Sequence, residues 1–314
     1  MIFEKSFIDE LESLVEKKDL KAIEKYILKL KREKTKKIVY RSALMVSAHR
    51  PKHLNKLDSL EADIAIINLE DGVSKELKPT ALRLTALFLS HIKRSDSLLV
   101  VRVNPLDNGG KEEIEYLNKF KPDAIRVPKV KTPKDVEKAL ELIDKEIDLH
   151  LSIETKEAFL NLESLRVNER VKVFYLGILD LLSDLDIFQQ ILEIKNPTID
   201  HILSRFLVVS KASCVLPVSF VYQDYKNLNE FEDWCRYEKN MGYRVKGCIS
   251  PAQVEIANRV FGLSKEILER AEYIKMRFEE MKNKGITGFT DEKYGFIDEP
   301  IYKDAVNILR KSMI

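Results

Sequence analysis

From residue 40 onward, short apolar runs rich in β-branched residues alternate with stretches of helical periodicity. The runs are ALMV (43–46), DIAIINL (63–69), SLLVVRV (97–103), AIRV (124–127), LHLSI (149–153), KVFYL (172–176), CVLPVSFV (214–221) and VKGCI (245–249). Helical patterns lie between them, as at 133–147, where Thr132 sits at the capping position and Pro133 at the first helical position. Strands that alternate with helices predict parallel βαβ units. Eight such runs, each followed by a helix, predict an α/β fold of the closed (β/α)8 TIM-barrel type, since a doubly wound sheet more often has about five to seven strands.

The pattern differs at both ends. Ile8, Leu11, Leu14 and Val15, then Leu20, Ile23, Ile27 and Leu30, recur at helical spacing. They predict an N-terminal helical extension over 1–38, ahead of a barrel at 39–262. The basic stretch KLKREKTKK (29–37) reads as a solvated helix end whose cations complement the helix dipole. Residues 263–314 read as a C-terminal helix and lid: a long helix over 263–281, a mobile, glycine-bearing loop NKGITGFTDEKYGFIDEP (282–300), and a last helix over 301–310.

Composition narrows the class. A length of 314 residues would suggest two domains at about 150 residues each, but α/β barrels run to about 250 residues as one domain. The net charge of +2 creates no field that would draw in nucleic acid or anionic lipid. Glycine, at 10 of 314 residues, is scarce against a usual share of about 7%, which excludes collagen-like and linker-rich chains. Cys214, Cys235 and Cys248 are odd in number and show no CxxC spacing, as expected of reduced thiols. The opening MIFEKSFIDELESLVEKKD mixes both charge signs and lacks the apolar centre of a signal peptide, and no apolar run approaches the ~18 residues of a membrane span. The expectation is a cytoplasmic globule with neither membrane nor nucleic-acid partners.

A barrel of this kind carries its chemistry on the loops at the C-terminal ends of its strands. Those positions deliver Ser47, His49 and Arg50; Glu70, Asp71 and Gly72; Arg102, Asn104 and Pro105; Pro128 and Lys129; Glu154 and Thr155; Gly177 and Asp180; Ser219; and Ser250. Acids and cations therefore crowd one rim. Glu154 and Asp180, on adjacent strands, suit a hard divalent ion such as Mg²⁺, whereas five histidines without an HExxH or a Cys/His cluster serve zinc poorly. Arg102 ends an otherwise apolar strand, so its guanidinium should face a planar anion, for which a carboxylate is the natural bidentate guest. These residues describe a metal-dependent enzyme acting on a carboxylate.

The order of short motifs resembles the citrate lyase beta subunit group of the HpcH/HpaI aldolase-like superfamily, which includes malyl-CoA lyases. RSALMVSAHRP (41–51), INLEDGV (67–73), VRVNPLD (101–107), VPKV (127–130), SIET (152–155), YLGILDLLSDL (175–185), VYQDYKNL (221–228), ISPAQV (249–254) and GFIDEP (295–300) are similar to that family's segments and occur in its order. The resemblance implies a TIM barrel and an oligomeric Mg²⁺ enzyme, a trimer or hexamer, that cleaves or forms carbon–carbon bonds in β-hydroxyacyl thioesters. It implies Glu154 and Asp180 as Mg²⁺ ligands, Arg102 gripping the substrate carboxylate with Glu154 also touching substrate, and Asp298 as a lid acid that shuttles a proton. Glu70, Asp71, Arg41 and Lys129 match pocket-lining residues. Arg41, Arg50, Lys78 and Lys129 are candidate partners for the phosphates of CoA, or of an acyl-carrier-protein thioester.

The chain departs from the family pattern at Asn68, Leu179, Ser219 and Ser250, and at Ser47-Ala48-His49. The expected reaction is cleavage or condensation of a citryl- or malyl-type thioester to acetyl thioester and a keto acid such as oxaloacetate. One alternative follows from the departures, a catalytically weakened paralogue that binds CoA or a dicarboxylate; a second, implied by the aldolases of the wider superfamily, is a metal-dependent aldolase on free hydroxy-keto acids.

Overall fold

In the computed structural model the described residues are 1–29, 32–35, 39–57, 59 and 61–312, with the side chains of 311 and 312 left aside. The chain divides into two compact units, Met1–Phe261 and Gly262–Ile314.

In the first unit β1 (Ser42–Ser47), β2 (Ile64–Asn68), β3 (Leu98–Arg102), β4 (Ala124–Val127), β5 (Asp148–Ile153), β6 (Val171–Leu176), β7 (Leu216–Val221) and β8 (Lys246–Cys248) form a closed barrel in sequence order. Every neighbouring pair is parallel, including the closing pair of β1 with β8. The expected TIM barrel is therefore present. Helices connect the strands: α3 (Pro51–Leu54), α4 (Lys78–His91), α5 (Lys111–Leu117), α6 (Pro133–Leu142), α7 (Lys156–Leu160), α8 (Ile178–Asp184), α9 (Pro197–Ala212), α10 (Leu228–Met241) and α11 (Pro251–Phe261), preceded in the chain by α1 (Lys5–Glu16) and α2 (Leu20–Glu24). Local chemistry sets their ends. Thr132 and Asp135 form a reciprocal capping box at the start of α6, with Pro133 in its first turn. The side chains of Asn196 and Asn227 accept backbone N–H bonds at the starts of α9 and α10.

Period-two alternation divides each strand between two cores. Ala43, Ile64, Ile66, Leu98, Val100, Ala124, Val173, Tyr175 and Val218 fill the barrel interior. Leu44, Val46, Ala65, Ile67, Leu99, Val101, Ile125, Leu149, Leu151 and Phe174 face the helical layer, where most of the apolar burial lies.

The segment after α2 differs from the expected solvated helix end. The helix stops at Glu24, and Arg32 is buried under the barrel wall. Its guanidinium donates to the carbonyls of Ile92 (3.1 Å) and Lys121 (3.0 Å) and pairs with Asp123 at 3.4 Å. A guanidinium that finds three oxygen partners can leave water, a possibility that charge pattern alone does not reveal. Leu30, Lys31, Lys36 and Lys37 of the same stretch lie outside the described residues.

The second unit holds α12 (Lys265–Lys282), β9 (Gly288–Asp291), β10 (Gly295–Asp298) and α13 (Glu299–Ser312). Residues 282–300 were expected to be a mobile loop, but they contain an antiparallel hairpin, β9 on β10. Asp291 Oδ1 accepts the N–H groups of Lys293 (2.9 Å) and Tyr294 (3.1 Å), and Gly295 takes a left-handed φ of 71° that closes the three-residue turn. The unit has its own apolar cluster of Ala271, Ile274, Phe278, Ile297, Ala305 and Leu309.

Candidate active site

Alternation along β3 turns Leu98, Val100 and Arg102 inward, so the one charged residue of the strand ends inside the barrel at its C-terminal rim. Arg102 is buried, and its Nη2 forms an ion pair with Glu70 while lying 3.5 Å from both Asp71 Oδ2 and Glu154 Oε2. Its Nε is buried with no acceptor among the described residues. That donor is free for a ligand oxygen.

Glu70 follows β2 and is 3% exposed. Burial pushes its carboxyl up to about 7; the Arg102 cation opposes the shift, and the charges of Glu154 and Asp71 add to it. Lys129 Nζ stands 4.0 Å from Glu70 Oε1. Lys129 has a left-handed φ of 53°, and its N–H donates to Glu154 Oε1 at 2.9 Å.

Glu154, just beyond β5, is 2% exposed and sits against Gly177, the residue after β6. A Cβ on Gly177 would stand 2.6 Å from Glu154 Cβ and 2.9 Å from Glu154 Oε2, so only glycine leaves room for the carboxylate there. Asp180 is exposed in the first turn of α8, three residues further on. Among the described residues no group of three or more His, Cys, Asp or Glu side chains is gathered for a metal. Two hard carboxylates, with water and substrate oxygens completing the shell, are nevertheless a donor set that Mg²⁺ takes.

The loop after β3 is fixed by groups not singled out in the sequence. Asn104 donates its N–H to Glu113 Oε2 (2.7 Å), and its side-chain amide donates to Glu113 Oε1 (2.5 Å) and to the Leu69 carbonyl (3.2 Å). Lys78 donates to Asn104 Oδ1, which engages one of the expected phosphate partners within the fold.

The structure thus brings Glu70, Asp71, Arg102, Lys129 and Glu154 together. It does not bring Arg41 to them. Arg41 precedes β1, at the opposite end of the strands, where its N–H donates to Asp63 Oδ2 (2.7 Å) and its Nε lies 2.9 Å from the same atom. Asp298 ends β10 in the second unit, where its Oδ1 accepts the Ile301 N–H at 3.3 Å. Three departures from the family pattern have local roles. Asn68 donates to the Asp71 carbonyl and accepts the Glu70 N–H, Ser250 accepts the Gln253 N–H, and Leu179 packs on the outer core.

Sequence reasoning missed a polar layer inside the barrel. Arg126, His150, Ser152 and Tyr175 are all buried. Arg126 Nε donates to Ser152 Oγ (2.8 Å), its guanidinium carbon lies 4.2 Å from the Tyr175 ring centroid, and His150 Nδ1 is 3.1 Å from the Tyr175 hydroxyl. Burial, with the Arg126 cation adding to it, pushes His150 down to about 3, so its ring is neutral. The available signal was strand parity: Arg126 has the parity of inward Ala124, and His150 and Ser152 share the parity of Glu154.

A parallel (β/α)8 barrel with a buried arginine among carboxylates at its C-terminal mouth defines a class, the barrel enzymes that carry their chemistry at the strand ends. The profile of the HpcH/HpaI aldolase/citrate lyase family matches residues 41–251, and the chain belongs to that family of carbon–carbon lyases, whose members include CoA-ester lyases. It is 30% identical over 247 residues to the (3S)-malyl-CoA thioesterase of Cereibacter sphaeroides, covering 78% of this chain and 85% of the relative. It is 26% identical over 291 residues to the mitochondrial citramalyl-CoA lyase of Homo sapiens, covering 87% and 85%. In fold it is similar to CitE of Mycobacterium tuberculosis, solved in complex with magnesium, acetoacetate and coenzyme A, with a TM-score of 0.71, 21% identity, and coverage of 88% of this chain and 99% of that one.

Proposed function

We propose that this protein is a Mg²⁺-dependent lyase that cleaves, or in reverse forms, the carbon–carbon bond of a citryl- or malyl-type β-hydroxyacyl thioester, giving an acetyl thioester and a keto acid such as oxaloacetate. The observation that carries this reading is Arg102, a buried guanidinium with an unfilled Nε, set beside Glu154 at the barrel mouth. The names of the relatives support it, since they act on malyl-CoA and citramalyl-CoA.

In this scheme Glu154 and Asp180 hold Mg²⁺, which when bound polarises the oxygen that becomes the keto group. Arg102 holds the adjacent carboxylate and fixes the bond to be broken. The hydroxyl proton passes to a solvent base, the bonding pair moves to the carbon next to the thioester carbonyl, and an acid delivers a proton to that carbon. Asp298 is the acid assigned to that transfer, on the strength of the GFIDEP resemblance. Asp71, exposed at the rim, and Lys129 line the approach. Lys129 and exposed Arg50 remain as cations for the phosphates of CoA or of a carrier-protein thioester. Among the described residues no helix is long and apolar enough to cross a membrane. A cytoplasmic homo-oligomer, trimeric or hexameric, belongs to the same proposal.

The test is to incubate the protein and Mg²⁺ with citryl-CoA and with malyl-CoA, following acetyl-CoA and free CoA separately. Acetyl-CoA together with oxaloacetate or glyoxylate is the expected result. Free CoA together with malate would instead make it a thioesterase, like the Cereibacter relative. No cleavage, with Mg²⁺ and oxaloacetate still bound, would favour a binding protein weakened at Asn68, Leu179, Ser219 and Ser250. Turnover of free hydroxy-keto acids alone would favour an aldolase.

A further inference from the structure

Arg126 is costly to keep where it is. It lies inside the barrel at 6% exposure, in register with Arg102 on the adjacent strand, so two guanidinium groups turn inward side by side. Its Nε is taken by Ser152 Oγ at 2.8 Å, and its face by the Tyr175 ring at 4.2 Å. Its two terminal nitrogens have no hydrogen-bond or ion-pair partner among the described residues. The charges of Glu70 and Glu154 act on Arg126, yet both acids are engaged with Arg102, and neither forms an ion pair with Arg126. A buried cation beside a like charge, held by one neutral hydrogen bond and one aromatic face, does not stabilise a barrel; an apolar side chain of similar volume would do better. It is, however, the arrangement that a second anion would complete. Serine and tyrosine present the guanidinium with its fork unfilled, beside the arginine already assigned to a carboxylate.

We propose that Arg126 is a second carboxylate subsite, so that the site selects a substrate and keto-acid product bearing two carboxylates, one held by Arg102 and the other by the free edge of Arg126. This rests on the lyase reading for the identity of the reaction, and it makes the citryl-type thioester, with its additional carboxylate, preferred over the malyl type. Ser152 and Tyr175 are positioning residues that act through Arg126.

Binding measured by calorimetry in Mg²⁺ buffer, without any thioester, tests the subsite apart from turnover. The wild-type protein should bind oxaloacetate, with two carboxylates, at least about tenfold more tightly than pyruvate, with one. Arg126→Met should lose about tenfold or more in oxaloacetate affinity and leave pyruvate within a factor of about three. Ser152→Ala should weaken oxaloacetate selectively but less, and its smaller change guards against misfolding of the Met variant. Equal affinities of the wild-type protein for the two acids would overturn the proposal, as would parallel losses for both acids in Arg126→Met. If no thioester is cleaved while this selectivity is found, the lyase reading fails and the subsite stands. If citryl-CoA is cleaved but Arg126→Met affects both acids alike, the reverse holds.

Discussion

Glu70 and Arg102 face each other across the mouth, and the balance at that contact depends on what else occupies it. Glu70 stands near 7 because burial outweighs the arginine. A carboxylate arriving at Arg102 adds a neighbouring negative charge and raises Glu70 further, so anion binding is accompanied by proton uptake. Affinity should therefore be greatest below about pH 7 and decline above it. Calorimetry of oxaloacetate on the metal-free protein in buffers of differing ionisation enthalpy should show the proton taken up, and Glu70→Gln should flatten the dependence. An unchanged pH profile in that variant would remove Glu70 from the coupling. Gly177 invites a second substitution at the same scale. A Cβ 2.6 Å from Glu154 Cβ must displace that side chain, so Gly177→Ala should weaken Mg²⁺ binding about tenfold or more and destabilise the fold by about 1–3 kcal/mol. Mg²⁺ titration alongside urea unfolding separates the two effects.

At the scale of elements, parity governs which side of the wall a polar group reaches. Lys246 on β8 points outward, where its Nζ donates to Glu238 Oε1 of α10 at 2.5 Å and lies 3.5 Å from the Phe220 ring centroid. Both side chains are fully buried. Burial pushes Glu238 up, and Lys246 opposes the shift. Removing one partner leaves an unpaired buried charge, whereas removing both leaves a hydrophobic contact. Urea unfolding should accordingly show Lys246→Met losing about 3–5 kcal/mol, with Lys246→Met plus Glu238→Leu recovering most of it. If the double variant is as weak as the single one, the pair is not what joins α10 to β8. The strands themselves were legible because β-branched runs bounded by helical periodicity have few other readings. The β9–β10 hairpin was not, because its four-residue strands carry one fully buried apolar side chain, Ile297, and their pairing depends on a turn held by Asp291.

At the scale of the whole molecule, residues 262–314 form a compact unit with its own core, and Asp298 lies within it. If Asp298 transfers the proton, Asp298→Asn should lower kcat by about 10²–10⁴-fold while leaving Mg²⁺ and keto-acid affinity near wild type. A steady-state comparison on citryl-CoA checks this, and a normal rate would remove Asp298 from the chemistry. The sequence by itself determined the strand order, the barrel and the rim on which the acids and Arg102 stand, because hydrophobic periodicity is local and strand ends of a barrel converge on one face. Only the tertiary structure decided which of those groups meet. Arg41 precedes β1 and Arg102 ends β3, so the two lie at opposite ends of the barrel. Arg32 and Arg126 look like ordinary cations in the sequence and are buried in the fold. Burial, charge neighbours and orientation toward the barrel axis depend on residues far apart in the chain, and these set the pKa of Glu70 and leave the fork of Arg126 unfilled.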